Sequence, residues 1–156
     1  MNKNVVIGIL IFVLLIGATA GYTYYSHKDG INKNATVEDI KFDNDKINVY
    51  IFWGSTCAHC EELYEFLYSV EKEEKQYARI YGFEVWENTE NGLLMDKFLA
   101  ANNGKTGERS VPYIVIGDTV LTGFSSSDKE KIKSLIKEAY DNKDEFNYHK
   151  DLFKNE

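Results

Sequence analysis

The strongest constraint on the fold of this chain is a change of hydrophobic period between residues 47 and 70. Ile47–Trp53 is an almost unbroken run of β-branched and aromatic side chains, which is typical of a strand covered on both faces. From Cys57 onward, apolar residues recur every three or four positions with charged residues between them, which predicts an amphipathic helix. The chain therefore passes from a buried strand into a helix through the short turn 54–56.

The residues that follow repeat this alternation of strand and helix. Residues 80–86 form a second apolar run, and we expect this strand to lie parallel to the first because a helix connects the two. Apolar residues at helical spacing then predict a shorter helix over residues 94–101, which ends near Gly104.

The last part of the domain predicts a hairpin and a final helix. Tyr113–Ile116 and Thr119–Thr122 are short apolar runs on either side of Gly117 and an aspartate, a pattern typical of a β-hairpin. The final helix opens at Ser127, whose hydroxyl is predicted to form a capping box with Glu130. The element order β-α-β-α-β-β-α predicts an α/β domain with a central mixed sheet flanked by helices.

The N-terminal residues indicate export. Residues 5–20 carry no charge and follow Lys3, so we interpret residues 1–25 as a signal or membrane-anchor segment. The run fits an uncleaved single-pass anchor, which we favour for its length, or a signal peptide cleaved after Ala20. Both alternatives place the domain outside the cytoplasm, attached to the cell membrane or secreted.

Composition and patterning set the other boundaries. Residues 26–35 are polar and lack periodicity, which predicts a tether, and residues 36–142 then form the domain. The sequence predicts neither a structure nor a role for the tail 143–156. The 156-residue chain has 25 acidic and 18 basic side chains and a formal net charge of −7, so we exclude nucleic acid as a partner.

The two cysteines of the chain, Cys57 and Cys60, have the spacing of a redox dithiol. A purely structural disulfide would add little stability here, because it closes a loop of only two residues. A zinc site needs four ligands, and apart from His59 the other histidines lie far away in sequence. We therefore favour a redox pair with no metal, and the alternatives are a metal site and inert core cysteines.

The position of the pair predicts a different role for each sulfur. Unpaired amides and the helix dipole at the first turn favour a thiolate, so we expect Cys57 to be the attacking sulfur. Cys60 lies one turn further on the apolar face and is expected to be the buried, resolving sulfur. His59, protonated or donating a hydrogen bond, would stabilise the thiolate and make the disulfide a stronger oxidant. The alternative for His59 is an exposed side chain without a role.

The segments FWGSTCAHC and VPYIVIGD, together with the element order, resemble the thioredoxin superfamily over residues 45–140. The chain is most similar to small exported or membrane-tethered Cys-x-His-Cys thiol-disulfide oxidoreductases of Gram-positive type. The resemblance implies a thioredoxin-like fold and a redox-active disulfide Cys57–Cys60 as the only cofactor.

The resemblance also implies a substrate site around the one proline of the chain. In this superfamily a cis-proline loop faces the dithiol, and Pro112 takes that place. Val111 would then offer its backbone to an extended substrate peptide. Trp53 and Tyr113 are candidates to line the same groove, with core packing as the alternative.

Two departures from cytosolic thioredoxins bear on the direction of the reaction. Ala58 and His59 replace Gly-Pro between the cysteines, and Ile51 replaces a buried aspartate that would accept a proton. We therefore expect a protein-disulfide oxidase or isomerase that acts on exported proteins with cysteines and is served by a membrane redox partner. The alternatives are a membrane-fed reductase, for example in cytochrome maturation, a copper-binding module that uses Cys57, His59 and Cys60, and a non-catalytic adaptor.

Overall fold

The computed structural model describes residues 7–9, 11–13, 30–42, 45–104, 107–143 and 149–153. Its strands are β1 (Ile31–Asn32), β2 (Ile47–Trp53), β3 (Ala78–Glu84), β4 (Tyr113–Ile116) and β5 (Thr119–Thr122). Its helices are α1 (Ala58–Glu74), α2 (Thr89–Ala101) and α3 (Lys129–Asp141), with short 3-10 turns at Val37–Asp39, Ser126–Asp128 and Lys150–Phe153. The strand-to-helix junction and the hairpin are confirmed.

Most of the predicted N-terminal segment 1–25 and the start of the tether, residues 26–29, lie outside the described residues. Residues 7–9 and 11–13 are helical. No helix formed by the described residues is long and apolar enough to span a bilayer.

The five strands form one mixed sheet in the order β1-β3-β2-β4-β5. β1 and β2 run parallel to β3, whereas β4 is antiparallel to β2 and β5 is antiparallel to β4. In this register Trp53 lies beside Glu84, and Phe52 lies beside Tyr113. The sheet with helices on both faces is the thioredoxin-like arrangement that the sequence predicts.

The N-terminal edge of the sheet differs from the sequence analysis, which places residues 26–35 in a tether. Ile31 is buried and pairs with Ile80 at the start of β1. Ala35 is also buried, and its N–H donates to the carbonyl of Gly82 at 2.8 Å. The segment is too short to show a hydrophobic period, so its strand depends on pairing with an edge that the rest of the fold supplies.

Alternate side chains of β2 supply the two halves of the core. Ile47, Val49 and Ile51 face α1 and α3 in one cluster. Tyr50 and Phe52 face α2 in the other cluster. This period of two is the expected consequence of a strand buried on both faces.

Part of the unassigned tail 143–156 belongs to the second cluster. The ring of Phe153 lies 5.5 Å from Phe42, 5.3 Å from Tyr50 and 5.6 Å from Phe98, measured between centroids. Tail residues 149–153 therefore cover the sheet face that α2 leaves open.

The cap before the last helix is displaced from its predicted position. The backbone N–H and the hydroxyl of Ser125 donate to the Asp128 carboxylate at 2.8 and 2.7 Å. α3 begins at Lys129, so the predicted capping box of Ser127 with Glu130 is wrong. The 3-10 turn Ser126–Asp128 moves the capping residues two positions towards the N-terminus.

Candidate functional site

Cys57 is the N-cap residue of α1 and has an extended backbone. Its N–H donates to the carbonyl of Gly54 at 3.1 Å, which closes the turn after β2. Its Sγ accepts the N–H of Cys60 at 3.1 Å, as the side-chain oxygen of an ordinary N-cap residue would. The sequence places a sulfur where a helix directs its unpaired amides.

A disulfide joins Cys57 and Cys60, with their Cα atoms 5.2 Å apart. Residues three apart meet on one face of a helix, which explains how the pair closes without disturbing α1. Cys57 is 8% exposed and Cys60 is 1% exposed, so Cys57 is the sulfur nearer to solvent. The pairing is confirmed, and the roles of attacking and resolving sulfur remain predictions.

His59 lies on the first turn of α1, where its side chain is 68% exposed. Its Nδ1 lies 3.8 Å from a carboxylate oxygen of Glu62, one turn further along the helix. His59 therefore lies beside Glu62, and its effect on the thiolate remains a prediction.

Val111 and Pro112 reach the same edge of the sheet as Cys57. The peptide bond between them is cis, as expected from the sequence. β4 begins directly after Pro112 and runs antiparallel to β2, so its start lies beside the end of β2. The Pro112 carbonyl accepts the N–H of Gly123 at 2.8 Å, and Gly123 has a φ of +80° that favours glycine.

Tyr113 and Trp53, the other candidates for the groove, make core contacts. Tyr113 is 4% exposed and packs against Phe52, so it does not line a groove, and burial raises the pKa of its hydroxyl. Trp53 is half-buried and packs edge-on against Tyr64. Its indole N–H donates to the carbonyl of Lys33 at 2.9 Å, which attaches the chain after β1 to the sheet.

Glu84 is a residue of the site that the sequence analysis missed. It ends β3, and its carboxylate accepts backbone N–H groups from Ser55 (3.3 Å), Trp86 (2.9 Å), Glu87 (2.9 Å) and Asn88 (3.0 Å). Burial acts to raise the pKa of Glu84, but these four donors outweigh it and lower the pKa. Glu84 therefore connects the turn before Cys57 to the loop after β3. The hydrophobic pattern of the sequence does not indicate this role.

Trp86 is the second missed residue, because the sequence places it at the end of a strand. It has left the sheet, its side chain is 51% exposed, and its ring lies directly against Gly54. A Cβ added to Gly54 would overlap the indole ring, so this contact requires glycine. An exposed aromatic ring therefore lies on the turn that carries Cys57.

Within the part of the chain that the structure describes, no group of three or more histidine, cysteine, aspartate or glutamate side chains is arranged to hold a metal ion. The Cys57–Cys60 disulfide lies at this edge of the sheet.

Comparison with known proteins finds solved structures that resemble this chain at low sequence identity. No protein-family model matches the chain, and no curated protein sequence matches it. A thioredoxin-like protein from Clostridium perfringens is 21% identical, with a TM-score of 0.47, and the match covers 69% of this chain and 79% of that one. A protein assigned as the thiol:disulfide interchange protein DsbE of Chlorobium tepidum is 19% identical, with a TM-score of 0.45 and coverage of 62% and 82%.

A third solved structure, the thioredoxin of Malassezia sympodialis, is 17% identical, with a TM-score of 0.45 and coverage of 70% of this chain and 89% of that one. The fold assignment rests on the strand order and directions of the sheet itself. The chain has a thioredoxin-like fold with a disulfide between Cys57 and Cys60 at the start of α1.

Proposed function

We propose that the protein is an extracytoplasmic thiol-disulfide oxidoreductase that acts on protein dithiols and disulfides, in the oxidase or isomerase direction. The observation that carries the proposal is the Cys57–Cys60 disulfide at the N-terminus of a helix, with the more exposed sulfur in the N-cap position. A disulfide that closes a two-residue loop adds little stability, whereas a helix N-terminus favours a reactive thiolate.

The reaction is a pair of thiol-disulfide exchanges. A substrate thiolate attacks Sγ of Cys57, a mixed disulfide forms, and the Cys57–Cys60 bond breaks with Cys60 leaving as a thiolate that takes up a proton. The second substrate thiolate then attacks the substrate sulfur of the mixed disulfide and releases Cys57. The substrate loses two electrons, which the protein gains. Of the two protons that the substrate thiols release, Cys60 takes up one and the other goes to solvent, because Cys57 is released as a thiolate.

Two features support the oxidising direction. The N–H of Cys60 that reaches Sγ of Cys57 favours a thiolate there, which stabilises the reduced protein and makes its disulfide more oxidising. Ile51 is fully buried at the position where a reducing relative would hold a proton-accepting carboxylate. The released thiolate at Cys57 is also the nucleophile that isomerisation of wrongly paired disulfides requires.

The proposed location and partners depend on the N-terminal segment. The uncharged run 5–20 supports a membrane anchor or an export signal, and the substrates would be exported proteins with cysteines. Turnover as an oxidase needs an acceptor for two electrons, and we propose a disulfide of higher potential on a membrane redox partner.

The alternatives make different demands on the same residues. A reductase fed by a membrane electron carrier would need the opposite order of potentials. A copper module would bind Cu(I) through Cys57, His59 and Cys60 only after reduction of the disulfide. Tight Cu(I) binding without disulfide exchange would favour the copper module.

Equilibration of the purified protein in glutathione buffers tests the proposal. We expect a reduction potential well above the value of about −270 mV that is typical of thioredoxins, together with stoichiometric oxidation of a dithiol peptide. The double variant Cys57→Ala, Cys60→Ala is the control and should oxidise nothing. A potential at or below about −270 mV would favour the reductase, and no exchange at all would reject both directions.

A further inference from the structure

Trp86 is a large apolar side chain that the fold leaves half in solvent beside the disulfide. Its ring lies on Gly54, and Gly54 O accepts the N–H of Cys57, so two contacts separate the indole from the redox pair. Trp is among the residues that most often dominate binding energy at interfaces. An exposed Trp next to a reactive group is therefore a candidate for substrate contact.

The sheet order places Trp86 and the Val111–Pro112 loop on opposite sides of Cys57. β3 and β4 flank β2 on its two sides. Trp86 follows β3, Cys57 follows β2, and Pro112 precedes the antiparallel β4, so all three lie at one edge of the sheet. A peptide bound across the disulfide from the Val111 side therefore approaches the Trp86 ring.

The Trp86 loop is held in place by its neighbours. Glu84 accepts the N–H of Trp86 at 2.9 Å and that of Ser55 at 3.3 Å with the same oxygen, Oε1. The Ser55 hydroxyl donates to Glu87 at 2.9 Å. The ring is thus presented on a fixed loop, which reduces the entropy lost on binding.

The charges at this corner are acidic. Glu84 and Glu87 flank Trp86 in sequence, and Glu61 and Glu62 are exposed on the first turns of α1. Three basic groups of the described residues near this corner already have partners. Nδ1 of His59 lies 3.8 Å from a Glu62 oxygen, Arg109 forms an ion pair with Asp96, and the Lys33 ammonium lies 4.6 Å from the Trp53 ring centroid and 4.9 Å from that of Tyr64. An aromatic face beside carboxylates attracts a cation.

We propose that Trp86 contacts the substrate and stacks against a basic side chain, arginine above all, next to the cysteine that is oxidised. The inference rests on the proposed function and adds a substrate preference to it. Arginine can lie flat on the indole while its charge faces Glu87, whereas an acidic side chain at that position is repelled.

The test compares four dithiol peptides that are identical except for Arg, Phe, Ala or Glu beside the first cysteine. The rate at which each peptide reduces the oxidised protein is measured at low and high salt. We expect the Arg peptide to react about fivefold faster than the Ala peptide and the Glu peptide to react slowest. The spread should narrow at high salt because ions screen the carboxylates.

Three variants isolate Trp86. In Trp86→Ala the ratio of the Arg rate to the Ala rate should fall to the smaller value that the carboxylates alone support, while Trp86→Tyr should retain most of the preference because tyrosine also binds cations. Leu93→Ala removes another exposed apolar side chain, 57% exposed on α2, and should leave the ratio unchanged. Both rates of each ratio are measured on the same variant, so a general change in the reactivity of its disulfide leaves the ratio unaffected.

The outcomes separate the inference from the proposed function. A wild-type protein that oxidises no peptide contradicts the proposed function. Equal rates for all peptides, a faster reaction with Phe than with Arg, or a preference that is undiminished in Trp86→Ala would overturn the inference alone, since disulfide exchange would still occur.

Discussion

Cys57 owes its expected reactivity to backbone groups more than to side chains. Its sulfur accepts the N–H of Cys60, and its own N–H is fixed to Gly54. A negative charge at a helix N-terminus is stabilised by about 0.3–1 kcal/mol at exposed sites and more in partly buried ones. The side chain of His59, two residues further along the chain, is exposed to solvent beside Glu62.

Replacement of His59 tests whether this side chain affects the reduction potential. His59→Ala should lower the reduction potential, because the imidazolium stabilises the reduced thiolate when it is protonated. Glu62→Gln is the matched variant: it removes the carboxylate that competes for the imidazolium and should raise the potential. Glutathione equilibration at pH 6 measures both, and an unchanged potential in His59→Ala would show that the histidine has no electrostatic role.

Replacement of Glu84 tests how much its carboxylate contributes to the stability of the protein. Glu84→Gln should destabilise the protein by about 1–3 kcal/mol at pH 7, because one amide oxygen cannot replace a carboxylate that accepts four N–H groups. The folded pKa of Glu84 is lowered, so its contribution to stability is present above the unfolded pKa and is lost as pH falls through the folded pKa.

Urea unfolding between pH 3 and pH 7 measures this effect. Wild type should lose stability in the acid range more steeply than Glu84→Gln does. Glu65→Gln, at an exposed position of α1, should follow the wild-type curve. If wild type and Glu84→Gln had parallel curves, the carboxylate would not be the source of the acid dependence.

At the scale of elements, the edge of the sheet is assembled by contacts between loops. Asp96 on α2 accepts the N–H of Gly107 at 3.0 Å and binds the Arg109 guanidinium at 3.1 and 2.6 Å. Gly107 has a φ of +89°, a conformation that favours glycine. These bonds attach the segment before Val111 to α2.

Removal of this attachment should be measurable. Asp96→Asn is expected to cost about 1–2 kcal/mol of unfolding free energy, because a paired, partly buried carboxylate with three donors is lost. The bond to Arg109 is the main cause that lowers the pKa of Asp96, so its stabilisation is present at neutral pH and lost as pH falls through the folded value. Asp141→Asn, which removes the partner of Lys137 on the exposed face of α3, should change stability little.

The elements that the sequence predicts best are those whose own residues determine them. β2 and the hairpin strands have their predicted bounds because both carry continuous apolar runs and clear turn residues. β3 ends at Glu84, two residues before the predicted end, since the N–H groups of Trp86 and Glu87 donate to the Glu84 carboxylate and not to a neighbouring strand. β1 and the 3-10 cap before α3 arise from pairing and geometry that a local pattern does not contain.

At the scale of the whole molecule, the fold brings three distant segments to one edge of the sheet. The cysteine pair was predictable from the spacing of the only two cysteines, and the cis bond before Pro112 was predictable only from the resemblance to the thioredoxin superfamily. The roles of Trp86 and Glu84 were not predictable from the sequence, because they depend on the parallel pairing of β2 with β3, which places Trp53 beside Glu84. For Tyr113 the sequence leaves groove lining and core packing open, and the structure places its side chain in the core with Phe52.

Trapping of mixed disulfides tests whether Cys57 attacks and Cys60 resolves. Cys60→Ala retains the N-cap sulfur but lacks the internal thiol that would break the mixed disulfide at high effective concentration. Cys57→Ala retains only a sulfur at a position that is 1% exposed in the wild-type protein. The measurement is the yield of covalent complexes between each reduced variant and a disulfide-containing protein, separated by diagonal electrophoresis. We expect abundant complexes with Cys60→Ala and few with Cys57→Ala. Equal yields, or complexes formed only through Cys60, would show that Cys57 is not the attacking sulfur.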